Sequence, residues 1–193
     1  MAKEDNMDRR VRKTRTLLRK CLTELLKKKK IQDITVREIS DLADINRGTF
    51  YLHYKDVFDL MEQVETELLD ELNELINKYG PGAFLNKPSG IFTEVFTLVK
   101  NNADIVAILI GENGDLNFVN RLNGIVREKC LKDFMELFRN GNPESFNAYY
   151  SFIVSGCIGI VQYWLAAGVK ETPEQLAFMT EQIMVKGIRV FEG

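Results

Sequence analysis

The run from Thr35 to Lys55, TVREISDLADINRGTFYLHYK, constrains this chain more than any other stretch. Thr35 with Glu38 three residues later is a capping box and starts a helix. Val36, Ile39, Leu42 and Ala43 follow at helical spacing, which predicts an inward face. Asp44 closes that helix and Ile45 plugs the turn. Asn46 is then a good N-cap for a second short helix carrying Arg47, Gly48, Thr49 and Tyr51. Two short helices joined this tightly form a helix-turn-helix, whose second helix can enter the major groove of DNA.

The pattern Thr35-x-Arg37-x-Ile39, Ala43-x-Ile45, Arg47-Gly48-Thr49-Phe50-Tyr51 and His53-Tyr54-Lys55 resembles the N-terminal domain of the TetR family of bacterial transcriptional regulators. Two positions depart from the family's habit. Asp44 stands where a turn glycine is usual, and aspartate enters the left-handed region more readily than most residues. Tyr54 stands where phenylalanine is usual, and it keeps the ring while adding a hydroxyl.

Charge divides along the chain. Residues 1–56 carry a balance of +6 and residues 57–193 a balance of −8. A basic head on an acidic body is what a DNA-binding module joined to a module that does not bind DNA should show. The expected architecture is all-α: a three-helix helix-turn-helix domain over 1–56, and a helical effector-binding and dimerisation domain over 57–193. Three cysteines, Cys21, Cys130 and Cys157, are odd in number and lack CxxC spacing, so neither a disulfide framework nor a zinc site is expected. The chain also lacks the basic, apolar, small-residue order of a secretory leader. A reducing cytoplasm is the expected compartment.

The apolar spacing predicts a first helix from Asp8, with Val11, Leu17, Leu18, Cys21, Leu22, Leu25 and Leu26 on one face. Arg9, Arg10, Arg12, Lys13 and Arg15 crowd its start, suited to phosphate contact. Lys27 to Lys30 suit the negative end of the helix dipole, on a solvated face. A long helix is expected from Asp56 to Tyr79, with Glu62, Glu65, Glu67, Asp70, Glu71 and Glu74 outside. It is a lever roughly 30 Å long at 1.5 Å per residue. Turn chemistry follows at Tyr79-Gly-Pro-Gly and Asn86-Lys-Pro-Ser-Gly. Further helices are expected from Ser89, over Asp104–Ile110, and from Asp115 to Arg139.

Ser145 to Val169 is 25 residues without a charge. It is long enough to span a bilayer. A helix apolar all round can equally be buried on both sides, by its own domain and by a second subunit. Thr172-Pro173-Glu174-Gln175 is a strong start for the last helix. An uncharged helix, a Gly-Val-Lys loop and a Thr-Pro-capped helix are similar to the last two helices of TetR regulators. In that family they pair with the same two helices of a second subunit. The resemblance therefore implies a homodimer, with Ser155, Gly156, Gly159, Ile160, Tyr163, Ile183, Met184 and Ile188 at the interface.

No catalytic constellation is visible, since the one histidine, His53, lies inside the DNA-reading stretch. GxGxxG, Walker A and HExxH patterns are absent. No enzyme activity, cofactor or metal is expected. For double-stranded DNA, the family pattern places Thr35 and Arg37 on phosphate. Asn46, Arg47 and Thr49 face base edges, and Arg47 suits guanine. Gly48 allows close approach, and Tyr51, Tyr54 and Lys55 touch phosphate. His53 is either a phosphate contact or a packed ring, and Phe50 and Leu52 are expected in the core.

The resemblance further implies an unidentified small-molecule effector. Candidate lining residues are Phe92, Phe96, Phe118, Phe134, Tyr149, Phe152 and Trp164. A dimeric repressor released from a palindromic operator is the leading expectation. A regulator controlled by a protein partner stands beside it, since the C-terminal half is similar to a branch with dihydroxyacetone kinase operon regulators. A membrane-anchored adaptor is the remaining alternative, and no membrane partner is expected.

Overall fold

The structure is a computed structural model that describes residues 2–83, 88–111, 114–137 and 142–187, with the side chains of 2–8 and Pro143 left out. Among the described residues the secondary structure is helical, without a strand. The helices are α1 (Ala2–Leu26), α2 (Val36–Leu42), α3 (Arg47–Tyr51), α4 (Val57–Asn77), α5 (Pro88–Asn101), α6 (Ala103–Leu109), α7 (Leu116–Leu137), α8 (Pro143–Ala166) and α9 (Pro173–Lys186). A 3-10 turn, Ile31–Asp33, lies between α1 and α2. The sequence elements over 138–141 and 188–193, including Phe138, Arg139 and Ile188, lie outside the described residues.

The chain divides into two compact units, Met1–Leu68 and Leu69–Gly193. The division read from charge at residue 56 therefore moves three turns into α4. The reason is packing. Val57, Leu60, Met61 and Val64 are buried within the first unit, so the start of α4 is its fourth helix, and the same helix runs on into the second unit.

In this first unit α1 begins at Ala2, earlier than the apolar spacing indicated, because Ala, Lys and Glu at its start are good helix formers. Leu18, Cys21 and Leu22 face the core, while Val11 and Leu17 at the edge of the same stripe are exposed. Ile39 and Ala43 of the α2 segment are buried as expected, but Leu42 is exposed and Ser40 takes the inner position. Phe50 is fully buried, whereas Leu52 is 82% exposed and is not a core residue. Leu18, Leu22, Ile39, Phe50 and Leu60 form the sealed centre, each contributing about 1.5–3 kcal/mol by burial. Glu65, expected on the acidic outer face of α4, is buried.

In the second unit, Leu72, Leu75 and Ile76 of α4 pack with Ile91 of α5. Val95, Leu98, Leu122, Ile125 and Val126 close around them. Helix α9 lies along α5, and α8 contacts α6, α7 and α9. Trp164 of α8 is fully buried and donates Nε1–H to the Glu171 carbonyl at 3.2 Å. Gly168, with φ of 82°, ends α8 in the left-handed conformation that glycine adopts without penalty.

Candidate DNA-binding site

The geometry of the site begins at the N-cap of α2. The Thr35 hydroxyl accepts from the Glu38 amide at 3.3 Å, and Glu38 Oε2 accepts from the Thr35 amide at 3.0 Å, completing the capping box. The same Glu38 oxygen accepts the Thr35 hydroxyl proton at 2.9 Å. Lys29 extends this lock by donating to the Asp33 carbonyl at 2.8 Å and to Glu38 Oε1. So Lys29, read from sequence as part of a solvated face, pins the loop before α2 to α2 itself. The Lys29 ammonium and the Thr35 donors hold the Glu38 carboxyl down to about 2.

This lock changes the expected role of Thr35. Its amide and hydroxyl proton are already taken by Glu38, so they are not free donors for phosphate. Arg37, by contrast, keeps its guanidinium at the surface. It is exposed and held only by a surface contact to Asp41 at 3.5 Å, the kind of pair that contributes little and exchanges readily.

Between α2 and α3 the chain turns at Asp44, whose φ of 50° is left-handed. The aspartate therefore performs the turn that glycine usually makes. The Ile45 amide donates to the Ser40 carbonyl at 3.0 Å, closing the end of α2. Asn46 Oδ1 accepts from the Gly48 amide at 2.8 Å and caps α3. One lone pair of Asn46 Oδ1 is thus committed to the helix, and the NH2 is the part of the amide that the cap does not use. A Cβ on Gly48 would lie 3.3 Å from Asn46 Oδ1, so the cap as well as close approach favours glycine there.

Arg47 is exposed at the first position of α3, with Tyr51 exposed on the same short helix and Thr49 half-buried. The Tyr51 ring meets Phe50 edge-on at 5.7 Å, which fixes its base while leaving its tip in solvent. His53 is half-buried with its ring 6.2 Å from that of Tyr54. Lys55 is exposed but precedes α4, which begins at Val57. Its amide is taken by Asp59 Oδ2 at 2.7 Å while Asp56 Oδ1 accepts from the Asp59 amide at 2.8 Å. The backbone N–H of Lys55 is therefore already used, and the residue is otherwise exposed.

Tyr54 is the clearest correction. It is buried, with its ring 5.7 Å from Phe50. Its hydroxyl accepts from Arg15 Nε at 3.2 Å. The Arg15 NH2 group also donates to Gln63 Oε1 at 2.8 Å and to Glu67 Oε1 at 3.0 Å. Arg15, placed from sequence among phosphate-binding arginines, instead ties α1 to the end of the reading helix and to α4. The one hint in the sequence was the extra hydroxyl of Tyr54. Nothing local announced Gln63 or Glu67 as its partners.

In the second unit, the aromatic residues named as pocket lining separate into groups. Phe92 and Phe96 stack at 6.1 Å, and Phe96 meets Trp164 edge-on at 5.8 Å. With Phe118 they are buried core. Phe134 lies 4.9 Å from Phe146, which stacks on Tyr150 at 5.8 Å. Tyr149 and Phe152 belong to neither group, since both are exposed, Phe152 at 78%. They join Ser155, Gly156, Gly159 and Tyr163 on one open side of α8. A Cβ added to Gly156 or Gly159 meets nothing within 4 Å. On α9, Ile183 is exposed and Met184 half-buried, and Phe178 and Val185 stand out further than either. Ile160 is half-buried at the border of the α8 face. Burial pushes the thiols of Cys130 and Cys157 up to about 11, which makes them unreactive packing groups.

A family model described as "Transcriptional regulator C-terminal region", of the TetR class, matches residues 86–186, just over half of the chain. The chain belongs to the TetR family of transcriptional regulators. An uncharacterised helix-turn-helix transcriptional regulator, YxbF of Bacillus subtilis (strain 168), is 26% identical over 167 residues, which is 83% of this chain and 42% of that protein. The chain thus spans about two fifths of the length of this curated relative. Among solved structures, it is similar to a TetR transcriptional regulator from Streptococcus agalactiae 2603V, with a TM-score of 0.59 at 22% identity over 93% of this chain and 98% of that one. It is also similar to the dihydroxyacetone kinase operon activator DhaS, with a TM-score of 0.61 at 16% identity over 93% and 98% of the two chains. At these identities the structures share the fold. TetR regulators are DNA-binding proteins rather than enzymes, and they typically act as dimers that bind small-molecule effectors.

Proposed function

We propose that this protein is a dimeric repressor that reads a palindromic DNA operator and leaves it when a small molecule binds the second unit. The observation that carries the proposal is α3, capped at Asn46 and presenting Arg47 and Tyr51 to solvent above a sealed Phe50. Arg47 would read a base edge, and Arg37, Tyr51 and the Lys55 ammonium would hold phosphates. Asn46 and Thr49 contribute less, because the first is half committed to its cap and the second is half-buried. His53 fits best as a packed ring beside Tyr54.

One such helix touches few base pairs. Two of them about 34–36 Å apart read a palindrome, and a dimer supplies that spacing. The open sides of α8 and α9 are the proposed contact, because an uncharged surface with two bare glycines lets helices approach closely. A membrane span would use the same composition, since α8 is long and apolar enough to cross a bilayer. The buried side of α8 around Trp164 favours the dimer, since it is already packed within its own unit. DNA reading also favours a cytoplasmic protein.

Release would follow from a ligand that binds one of two arrangements of α4 more tightly than the other. The Arg15 bonds to Tyr54, Gln63 and Glu67 would make α1, the reading helix and the start of α4 move as one body. Control by a protein partner is the second reading. It is favoured by the tight mutual packing of Phe92, Phe96 and Trp164, which fills space that an apolar effector would need.

The test is a binding titration on the DNA upstream of the protein's own gene, beside random DNA, at two salt concentrations. Selective binding with a steep salt slope is expected, about −0.9 in log K per phosphate neutralised. Arg47→Ala should reduce discrimination between the two DNAs by about 1–3 kcal/mol for each base pairing the guanidinium makes. Lys55→Ala should weaken both alike. Unchanged discrimination in Arg47→Ala would remove the base-reading role of α3.

A further inference from the structure

Leu52 is 82% exposed, more than Tyr51, Phe58 or Phe152. A lone leucine on a surface needs no explanation. What sets this one apart is its place on the reading helix. Its amide donates to the Gly48 carbonyl at 3.2 Å, and its φ of −70° and ψ of −19° continue the helical path of α3 by one residue. Beyond it the chain is pinned, since the His53 and Tyr54 amides donate to the Phe50 carbonyl at 2.9 and 3.0 Å.

Phe50 and Tyr54 are buried and mark the inner side of this helix. At about 3.6 residues per turn, Leu52 falls roughly 200° around the axis from Phe50. Leu52 and Gly48, one turn apart, therefore form the row furthest from the core. Exposed Arg47 and Tyr51 flank that row on one side, and half-buried Thr49 and His53 on the other. A side chain on a helix leans toward the N-terminus, over the turn before it. Leu52 thus covers the ground that Gly48 leaves bare, at the end of a reading helix where base edges are met.

An isobutyl group neither donates nor accepts a hydrogen bond, so phosphates and the polar base edges give it no match. The major groove offers one apolar group, the 5-methyl of thymine. A protein seated on Leu52 would also cover Arg47 and Tyr51, which lie within about one turn of it, and would close the reading helix to DNA.

We infer that Leu52 is a specificity-determining residue that packs against the 5-methyl group of a thymine in the major groove. This rests on the DNA-reading role of α3 proposed above, and it adds an apolar base reader beside Arg47.

In the experiment the full chain selects its sites from a pool of random-sequence DNA duplexes. Each thymine of the selected site is then replaced in turn by deoxyuridine, which pairs as thymine does and lacks only the methyl. One thymine in each half-site should matter, and its replacement should weaken binding about four-fold per half-site, the worth of one buried methyl group. Leu52→Ser should bind the thymine and uracil duplexes alike at that position, while keeping the base preference that depends on Arg47. Leu52→Met keeps an apolar side chain and should keep the preference for thymine. Both variants alter an exposed position, so circular dichroism and the urea midpoint should match those of the unaltered chain.

Indifference of the unaltered chain to every thymine-to-uracil change, or a thymine preference undiminished in Leu52→Ser, overturns the role of Leu52. Where sequence selection and its dependence on Arg47 stand in that case, α3 remains the reader and this inference alone falls. Equal binding to all duplexes of the pool removes the reading role of α3, and this inference with it.

Discussion

The loop-α2-turn-α3 segment and helix α8 are similar in length and opposite in how they are held. In the first, short-range polar contacts fix almost every backbone direction. Thr35 and Glu38 start α2, Asp44 turns the chain, Asn46 starts α3, and Asp56 with Asp59 starts α4. In the second, Asn142 caps the start by accepting from the Glu144 amide, and single bonds from Tyr150, Gln162 and Trp164 reach carbonyls outside the helix. Between them, α8 is placed by which side finds neighbours. A reading head needs a fixed local shape before it meets DNA, whereas an assembly helix needs an open face that only another chain can complete.

The largest expected effect tests the open face. Gly159→Leu adds bulk where the protomer has room, so the isolated subunit should keep its helicity. In a two-fold dimer the added side chain appears twice. Overpacking of about 1–3 kcal/mol per site then destabilises the dimer by about 2–6 kcal/mol. Sedimentation equilibrium would measure it, and an unchanged dimer would place the interface elsewhere.

A smaller effect sharpens the contrast from the other side. Tyr54→Phe restores the family's usual ring and leaves Arg15 without one acceptor. Unfolding of the first unit by urea should show a loss of about 1 kcal/mol, below the range for a buried bond to a charged group because Arg15 is partly exposed. No loss would mean that Gln63 and Glu67 suffice to hold Arg15.

The capping lock at Glu38 predicts an acid response. Its folded pKa, about 2, lies below the ordinary carboxylate value of 4.5. The stability it contributes is therefore complete above about pH 4.5 and is lost as pH falls through about 2. A Lys29→Met variant should lose part of this acid dependence between those limits, read by circular dichroism. An unchanged profile would show that Lys29 does not hold the carboxylate.

The smallest effect has the opposite sign. Asp44 has a left-handed backbone, and Asp44→Gly should raise the melting temperature by a shift equivalent to about 1 kcal/mol. A fall instead would show that the aspartate side chain, and not its backbone alone, supports the turn.

The residues misjudged from sequence fall into distinct groups. Leu42 and Leu52 carry core-type side chains at positions where the short helices turn them outward. Ser40 and Glu65 carry polar side chains on sides that other helices cover. Periodicity predicts a face only when a helix is long enough to have one, and α2 and α3 are seven and five residues. The aromatic residues of α8 failed differently. Phe146, Tyr149, Tyr150 and Phe152 are chemically alike, and only the packing of α7 and α8 separated the buried two from the exposed two.

What the sequence by itself determined is the reader: the capping box of Thr35 and Glu38, the turn at Asp44, the Asn46 cap, the buried Phe50 and the membership that these motifs announced. Each of those depends on atoms within about four residues, so the information is local and survives in a string. Only the tertiary structure decided that Tyr54 is sealed by Arg15, that Lys29 guards Glu38, and that α8 is open on its glycine side. Those features join residues far apart in the chain, such as Arg15 with Tyr54. Burial is a property of the neighbours a residue meets, and the chain chooses them only when it folds.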